Sequence, residues 1–357
     1  MIPDASPYYT YSTEVTDAYL HRSPGAYLKN PTPDSPKALK LAYRRYRRRM
    51  PIPATALPVN VLFVHGIGMN KGVWHYLIDR LYQRFSGSGK LQISTVIAID
   101  TVNHGESAFA NRGRLGQSYD WHDGAFDIIK VATKDEASVF FSQTPKLNIL
   151  VGHSAGATTA LYASAYNQGL FDSCVAINAV VYLGPDEIQL KNNTITEWIY
   201  KGFMNSTICV EDPVKYREEV FQMYRRNGFY YKCHPLILKN MVEDEIPSDL
   251  TSVSSGDKIQ LNTTTEALIM LYFYRGFNNE HSRICFSNIN IPVFSISVEN
   301  DQANTKHTQE LILLLKRVHR GISIPKATHM VHAEEPELIV QLLGSIMEER
   351  ALLNARL

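Results

Sequence analysis

A serine held between two glycines, in Gly152-His153-Ser154-Ala155-Gly156, is where this chain is best equipped for chemistry. The spacing Gly-x-Ser-x-Gly suits a sharp strand-to-helix turn that lifts the serine to the end of a sheet, since only glycine lets strand and helix approach so closely. A serine at a helix start can also act simply as an N-cap, but that reading explains Ser154 and not the two glycines. The flanks fit the turn. Leu147 to Val151 is a short uncharged run, as expected of a strand buried on both faces, and the alanine-rich stretch Ala157 to Tyr166 stops before Gly169.

A serine hydroxyl is a poor nucleophile near neutral pH, so it needs a histidine base, a carboxylate to orient that base, and amide donors for the developing oxyanion. Among 12 histidines the best placed is His329, in PKATHMVHAEEPELI. It follows Ile322 and Ile324 of a final strand and precedes a helix opening at Glu335-Pro336. His332 competes but falls where the chain already turns into that helix. The acid should follow a strand and precede the histidine, which selects Asp301 after FSISV, with Glu299 as competitor and a helix-capping aspartate as the bland alternative. Asn178, within the run Cys174 to Leu183, cannot balance an imidazolium; Asp186 and Glu187 are the nearest carboxylates there. The oxyanion donors are expected from the amides of Ala155 and of Ile67, in His65-Gly66-Ile67-Gly68. That loop lacks the Gly-x-Gly-x-x-Gly spacing of a dinucleotide site.

The elements that must position these residues alternate along the chain. Val59 to Val64, Ile93 to Ile99, Leu147 to Val151, Cys174 to Leu183 and Ile291 to Val298 read as strands, with helical stretches such as Gly72 to Phe85 and Trp121 to Thr133 between the early ones. This rhythm predicts an α/β fold with a mostly parallel central sheet flanked by helices. It breaks from 184 to 286, where aromatics crowd helix-like segments, as expected of an inserted helical cap enclosing an apolar pocket. The chain therefore divides into an N-terminal arm with edge strands (1–58), a core (59–183 and 287–357) and a cap (184–286).

With 357 residues, 45% hydrophobic, 20% charged and a net charge of +1, the chain has no field to gather nucleic acid. No apolar stretch approaches the roughly 18 residues of a membrane span, and the start lacks the order of a secretory signal. The four cysteines, Cys174, Cys209, Cys233 and Cys285, match no metal spacing and read as free thiols. No metal or organic cofactor is implied. The arginine run YRRYRRRMP at 43–51 reads as the solvated face of an early edge strand, although its five arginines do not all share one face; contact with anionic lipid and nuclear import are the alternatives.

The segments VLFVHGIGMNKGVW, IDTVNHGESAFANRGRLG, VGHSAG, RNGFYYKCHPLIL and ATHMVHAEEPELI resemble the α/β-hydrolase superfamily, and within it the fungal peroxisomal lipases, over roughly residues 59 to 345. The resemblance implies Ser154 as nucleophile, His329 as base, and ester or lipid hydrolysis in peroxisomes. The chain departs from the pattern at Ala155, where many members carry a bulkier residue, and in the loop around Asp301. The resemblance also marks His234 as a candidate pocket residue, beside His65; His104, Asn103 and Arg114 read as loop-shaping. The last residues, Ala355-Arg356-Leu357, repeat the small-basic-leucine order of a C-terminal peroxisomal address read by an import receptor, which predicts a matrix location. The expected activity is hydrolysis of carboxylic esters of apolar acyl groups through an acyl-enzyme. The alternatives are an acyl-CoA thioesterase, a carbon-carbon bond hydrolase of secondary metabolism, and a hydrolase-like binding protein that does not turn over.

Overall fold

The computed structural model describes residues 6–29, 38–141, 145–181, 206–250, 252–270, 279–299, 301, 307–315 and 318–354. Among these residues the strands are β1 (Tyr9–Asp17), β2 (Lys40–Arg48), β3 (Leu57–Val64), β4 (Leu91–Ile99), β5 (Leu147–His153), β6 (Ser173–Ile177), β7 (Thr207–Cys209), β8 (Lys258–Gln260), β9 (Val293–Val298) and β10 (His319–Ile324). Eight form one sheet in the order β1-β2-β4-β3-β5-β6-β9-β10, antiparallel at the two β2 pairings and parallel from β4 onward. The order reverses at β3, which pairs β4 on one side and β5 on the other. Open α/β sheets bind ligands outside the carboxyl ends of strands at such a switch point.

The parallel strands are apolar throughout because both faces are covered. Successive residues of β3 divide between two cores: Val61 and Phe63 join Trp74, Leu77 and Leu343 on one face, while Leu62 and Val64 join Ile97, Leu161 and Phe286 on the other. Helices His75–Arg84 and Pro336–Asn354 cover the first face; Trp121–Lys130 and Ala155–Tyr166 cover the second.

Three expectations are corrected by this architecture. The arginine run does not lie on an edge strand and is solvated only in part, at the exposed Arg47 and Arg49. β2 lies between β1 and β4, Arg44 is 4% exposed, and its Nη2 donates to Asp244 at 2.6 Å, while Arg45 pairs with Glu14 and Glu136, each at 2.7 Å. A guanidinium this buried persists because it is paired. Second, β6 ends at Ile177, where Asn178 takes a left-handed φ of 43° that stops the strand, instead of running on to Leu183. Third, the insertion ends earlier than 286. Helix Asn279–Ser287 packs on the core, with Phe286 against Tyr162 at 4.9 Å between ring centroids and Ser282 bonded to the Tyr162 hydroxyl at 2.7 Å.

Among the described residues the cap holds helices Tyr216–Arg226, Pro235–Glu245 and Thr265–Met270, the ribbon β7–β8, and a small core of its own around Val220, Val242 and Ile259. It is therefore not purely helical. The aromatics at 198, 200, 203 and 272–274 lie outside the described residues, as does the tail Ala355-Arg356-Leu357. The four cysteines are all free.

Candidate active site

The strand ends build the site. Because β3, β5, β6, β9 and β10 run parallel, their carboxyl ends share one edge of the sheet, and the loops leaving them meet there. Val64 is level with Gly152, and His153 with Ile177.

Ser154 follows β5 directly, with φ 55° and ψ −123°, and Ala155 opens the next helix. A positive-φ conformation in a residue with a side chain costs about 1–3 kcal/mol and persists only where its surroundings enforce it. Here the glycines do so. A Cβ on Gly156 would stand 2.3 Å from the His65 carbonyl oxygen, and one on Gly152 2.4 Å from that of Gly156. The Ser154 side chain caps no helix. Its Oγ lies 2.8 Å from His329 Nε2, and His329 Nδ1 lies 2.6 Å from Asp301 Oδ2. Asp301 sits just beyond β9 and is nearly buried, whereas Glu299 is exposed and its backbone amide donates to Ile324 O at 3.3 Å. His332 is fully buried, its ring 3.9 Å from that of His153 and 4.9 Å from Trp74, and burial lowers its pKa to about 3.

Two residues that sequence reasoning passed over hold the histidine loop. Asn178 Nδ2 and His153 Nε2 both donate to the His329 carbonyl, at 2.9 and 2.8 Å, and Asn178 Oδ1 accepts from Val298 N at 3.0 Å. The signal that could have found Asn178 is a buried polar residue directly after an apolar parallel strand, where it lies beside the loops leaving the neighbouring strands. Its use is structural, since an amide can donate to one strand's loop and accept from another where a carboxylate cannot.

The amides of Ile67 and Ala155 donate to no acceptor among the described residues, Ala155 because it begins a helix. Both belong to loops leaving neighbouring strands. His65 and His234, the expected pocket residues, each make hydrogen bonds to backbone groups. His65 is 2% exposed with both ring nitrogens engaged: Nε2 accepts from Thr101 N at 3.1 Å, so Nδ1 carries the hydrogen and donates to Gly66 O at 2.8 Å. Burial, aided by the Lys71 ammonium, lowers its pKa to about 4. His234 caps helix Pro235–Glu245, accepting from Leu236 N at 3.3 Å, and its ring lies 4.6 Å from that of Tyr76. His104 and Asn103 shape loops as expected: His104 Nε2 accepts from Gly68 N at 3.0 Å, and Asn103 donates to the cap at Ala267 O, also at 3.0 Å. Arg114 donates to the Ala38 carbonyl.

Beside the site, a fully buried Lys71 pairs with Asp100 at 2.9 Å, Glu106 at 2.6 Å and Asp244 at 3.4 Å, the last also bound to Arg44. Burial pushes the Asp244 carboxyl up, but the two cations hold it below its ordinary value. This knot ties the cap helix to β2 and to the end of β4. Among the described residues no group of three or more His, Cys, Asp or Glu side chains is arranged to hold a metal ion.

Residues 61–342 match the Alpha/beta hydrolase family. The chain belongs to that family. This hydrolase is 30% identical over 314 residues to the peroxisomal membrane protein LPX1 of Saccharomyces cerevisiae, covering 84% of this chain and 77% of that protein. The crystal structure of the peroxisomal alpha-beta-hydrolase Lpx1 from the same yeast superposes with a TM-score of 0.81 at 24% identity, over 97% of this chain and 91% of that one. The type I acyl-CoA thioesterase mpaH of Penicillium brevicompactum is 22% identical over 263 residues, 72% of this chain and 57% of that protein.

Proposed function

We propose that the protein is a serine hydrolase that cleaves carboxylic esters of apolar acyl groups through an acyl-enzyme, in peroxisomes. The observation that carries this reading is the continuous chain of hydrogen bonds from Ser154 Oγ through the His329 ring to Asp301, at 2.8 and 2.6 Å. His329 Nε2 takes the hydroxyl proton as Oγ attacks the carbonyl carbon, and the Asp301 carboxylate stabilises the imidazolium through Nδ1–H. The amides of Ile67 and Ala155 donate to the oxyanion. The imidazolium then protonates the leaving alkoxide, and a water activated by the same ring releases the acid. Val180, whose amide donates to Ser154 O at 3.4 Å, and Ile67, which follows the glycine that abuts the serine, carry half-buried apolar side chains and favour apolar acyl groups.

A fluorophosphonate should label Ser154 covalently, and a panel of esters with varied chain length should be turned over. Ser154→Ala and His329→Ala should each lower hydrolysis by roughly 10⁴–10⁶-fold, with little further loss when combined, because the two act as one unit. Undiminished hydrolysis by Ser154→Ala refutes the mechanism, and an unlabelled wild type points to a hydrolase-like binding protein. The similarity to an acyl-CoA thioesterase favours a second substrate class; acyl-CoA thioesters in the same panel decide between thioester and ester, since the acyl-enzyme route serves both.

The peroxisomal assignment rests on Ala355-Arg356-Leu357 and on the similarity to a protein named as peroxisomal. A matrix location reached through a receptor that reads this tail is part of the proposal. Among the described residues no helix is long and apolar enough to cross a membrane. A fluorescent protein fused to the N-terminus should give peroxisomal puncta that become diffuse on deletion of Leu357; puncta that persist refute the tail as the address.

A further inference from the structure

The loop that offers the Ile67 amide is a four-residue turn, Gly66-Ile67-Gly68-Met69, closed by Met69 N donating to Gly66 O at 3.3 Å, with Gly68 at φ 77°. A positive φ at the third position is the mark of a turn that glycine makes readily, and glycine also lets the adjoining peptides rotate easily. An oxyanion donor is useful only if it stays aimed before the charge develops. Something must therefore hold these peptides.

Each peptide of the turn has a holder. The Gly66–Ile67 peptide, which carries the Ile67 amide, has its carbonyl bonded by His65 Nδ1–H at 2.8 Å and by Met69 N. The Ile67–Gly68 peptide gives its N–H to His104 Nε2 at 3.0 Å. The Gly68–Met69 peptide has its carbonyl bonded by the Tyr230 hydroxyl, and its N–H is the one that closes the turn on Gly66 O. The first two holders belong to the core. Tyr230 belongs to the cap.

We infer that Tyr230 is a positioning residue for the oxyanion site: its hydroxyl fixes the Gly68–Met69 peptide, that peptide fixes the Gly66 carbonyl, and the Ile67 amide on the same peptide unit is thereby kept aimed. The inference rests on the hydrolase reading above. Tyr230 is built for this task. It is 2% exposed, its ring packs 5.0 Å from those of Tyr224 and Phe229, and it shares a cluster with Met69 of the turn itself. Its own turn is closed by Tyr230 N donating to Asn227 O and Cys233 N to Tyr230 O, each at 3.0 Å. The next residue along, His234, donates its amide to Ala333 O at 2.7 Å, just beyond the histidine loop. One short cap segment thus grips both the oxyanion turn and the segment following His329, so the seating of the cap governs oxyanion geometry.

Tyr230→Phe keeps the ring and removes the hydroxyl. In the full-length protein acting on the best ester of the panel, kcat should fall about tenfold, the effect of one lost hydrogen bond, with KM unchanged. The inhibition constant of a trifluoromethyl ketone matching the acyl group, whose adduct places an oxyanion in the site, should rise by a similar factor. Circular dichroism should show the same folded spectrum. A variant with kcat and ketone affinity equal to wild type overturns the inference, as does a variant in which only KM or only the melting temperature changes. Fluorophosphonate labelling separates the two levels: a wild type that is not labelled removes the hydrolase reading and this inference with it, whereas a labelled, active wild type with an unaffected Tyr230→Phe removes the inference alone.

Discussion

Replacing Asp301 by asparagine removes one negative charge 2.6 Å from His329 Nδ1 while preserving shape. The side chains of His329 and Asp301 are 16% and 2% exposed, so the pair is largely shielded from water. Two unit charges about 4 Å apart interact by roughly 4 kcal/mol at an effective dielectric near 20, and the imidazolium exists only once Ser154 has begun its attack. The loss therefore falls on the transition state, a decrease in kcat of roughly 10³-fold. An amide that turns its NH₂ toward Nδ1 would also favour the tautomer with the hydrogen on Nε2, which cannot accept the serine proton, taking the loss toward about 10⁴-fold. The assay is steady-state hydrolysis of a chromogenic ester, with fluorophosphonate labelling rates as a substrate-independent check. Glu299→Gln, at an exposed side chain, should leave both unchanged. If Asp301→Asn stays within about tenfold of wild type, or if Glu299→Gln is the damaging change, the acid has been misassigned.

Gly156→Ala places a Cβ 2.3 Å from the His65 carbonyl and 2.6 Å from that of Val64, so the helix must withdraw from β3. Stability should fall by about 1–3 kcal/mol in denaturant titrations, and the labelling rate by roughly 10²-fold, since a displacement near 1 Å is enough for that; a normal labelling rate contradicts the elbow geometry. Low pH should destabilise the fold. His65, with its pKa lowered to about 4, His75 and His332, lowered to about 3, and His104 and His153, also lowered, are held neutral chiefly by burial. Once unfolded they bind protons near the ordinary value of 6.5, so between there and about 4 the unfolded state holds more protons and stability falls as pH falls, by about 1.4 kcal/mol per pH unit per group. Burial raises Glu245 to about 7 and Asp123 to about 6, and these two carboxyls oppose the trend but are outnumbered by the five histidines; burial also raises Asp100 and Asp127. The melting temperature should therefore drop steadily from pH 7 to 5.5, and a flat profile contradicts the buried neutral histidines.

The sheet and the elbow were legible because their signals are local. A buried parallel strand is an apolar run whatever lies beside it, and the glycines around Ser154 are dictated by the backbone of the same turn. The ends of those runs were less clear. Cys174 to Leu183 is apolar well past Ile177, and only the bonds from Asn178 to His329 O and Val298 N, made across the sheet, explain why the strand stops there. The arginine run was misread for a related reason. Charge density in a strand normally means solvent, and the partner that lets Arg44 be buried, Asp244, is 200 residues away. No window of sequence contains both.

The same contrast explains why the meeting of Ser154, His329 and Asp301 is legible in the sequence while the reach of Tyr230 is not. Each of the three stands shortly after a strand, and parallel strands place their carboxyl ends along one edge, so position after a strand already implies position in space. Residues 65–68, 154, 178, 301 and 329 all obey that rule, although they span most of the chain. Tyr230 reaches the same place from an inserted segment whose docking depends on long-range contacts: Asn70 donating to Met241 O and to Glu245 at 2.9 Å, Gly105 N donating to Thr263 Oγ1 at 2.8 Å, and the buried knot around Lys71. None of these pairs has a spacing that marks it. The core thus brings Ser154, His329 and Asp301 together on a frame that repeats from strand to strand, and the cap reaches the same edge through contacts peculiar to its own seat, which is why that juxtaposition is readable in the sequence and the Tyr230 contact only in the structure.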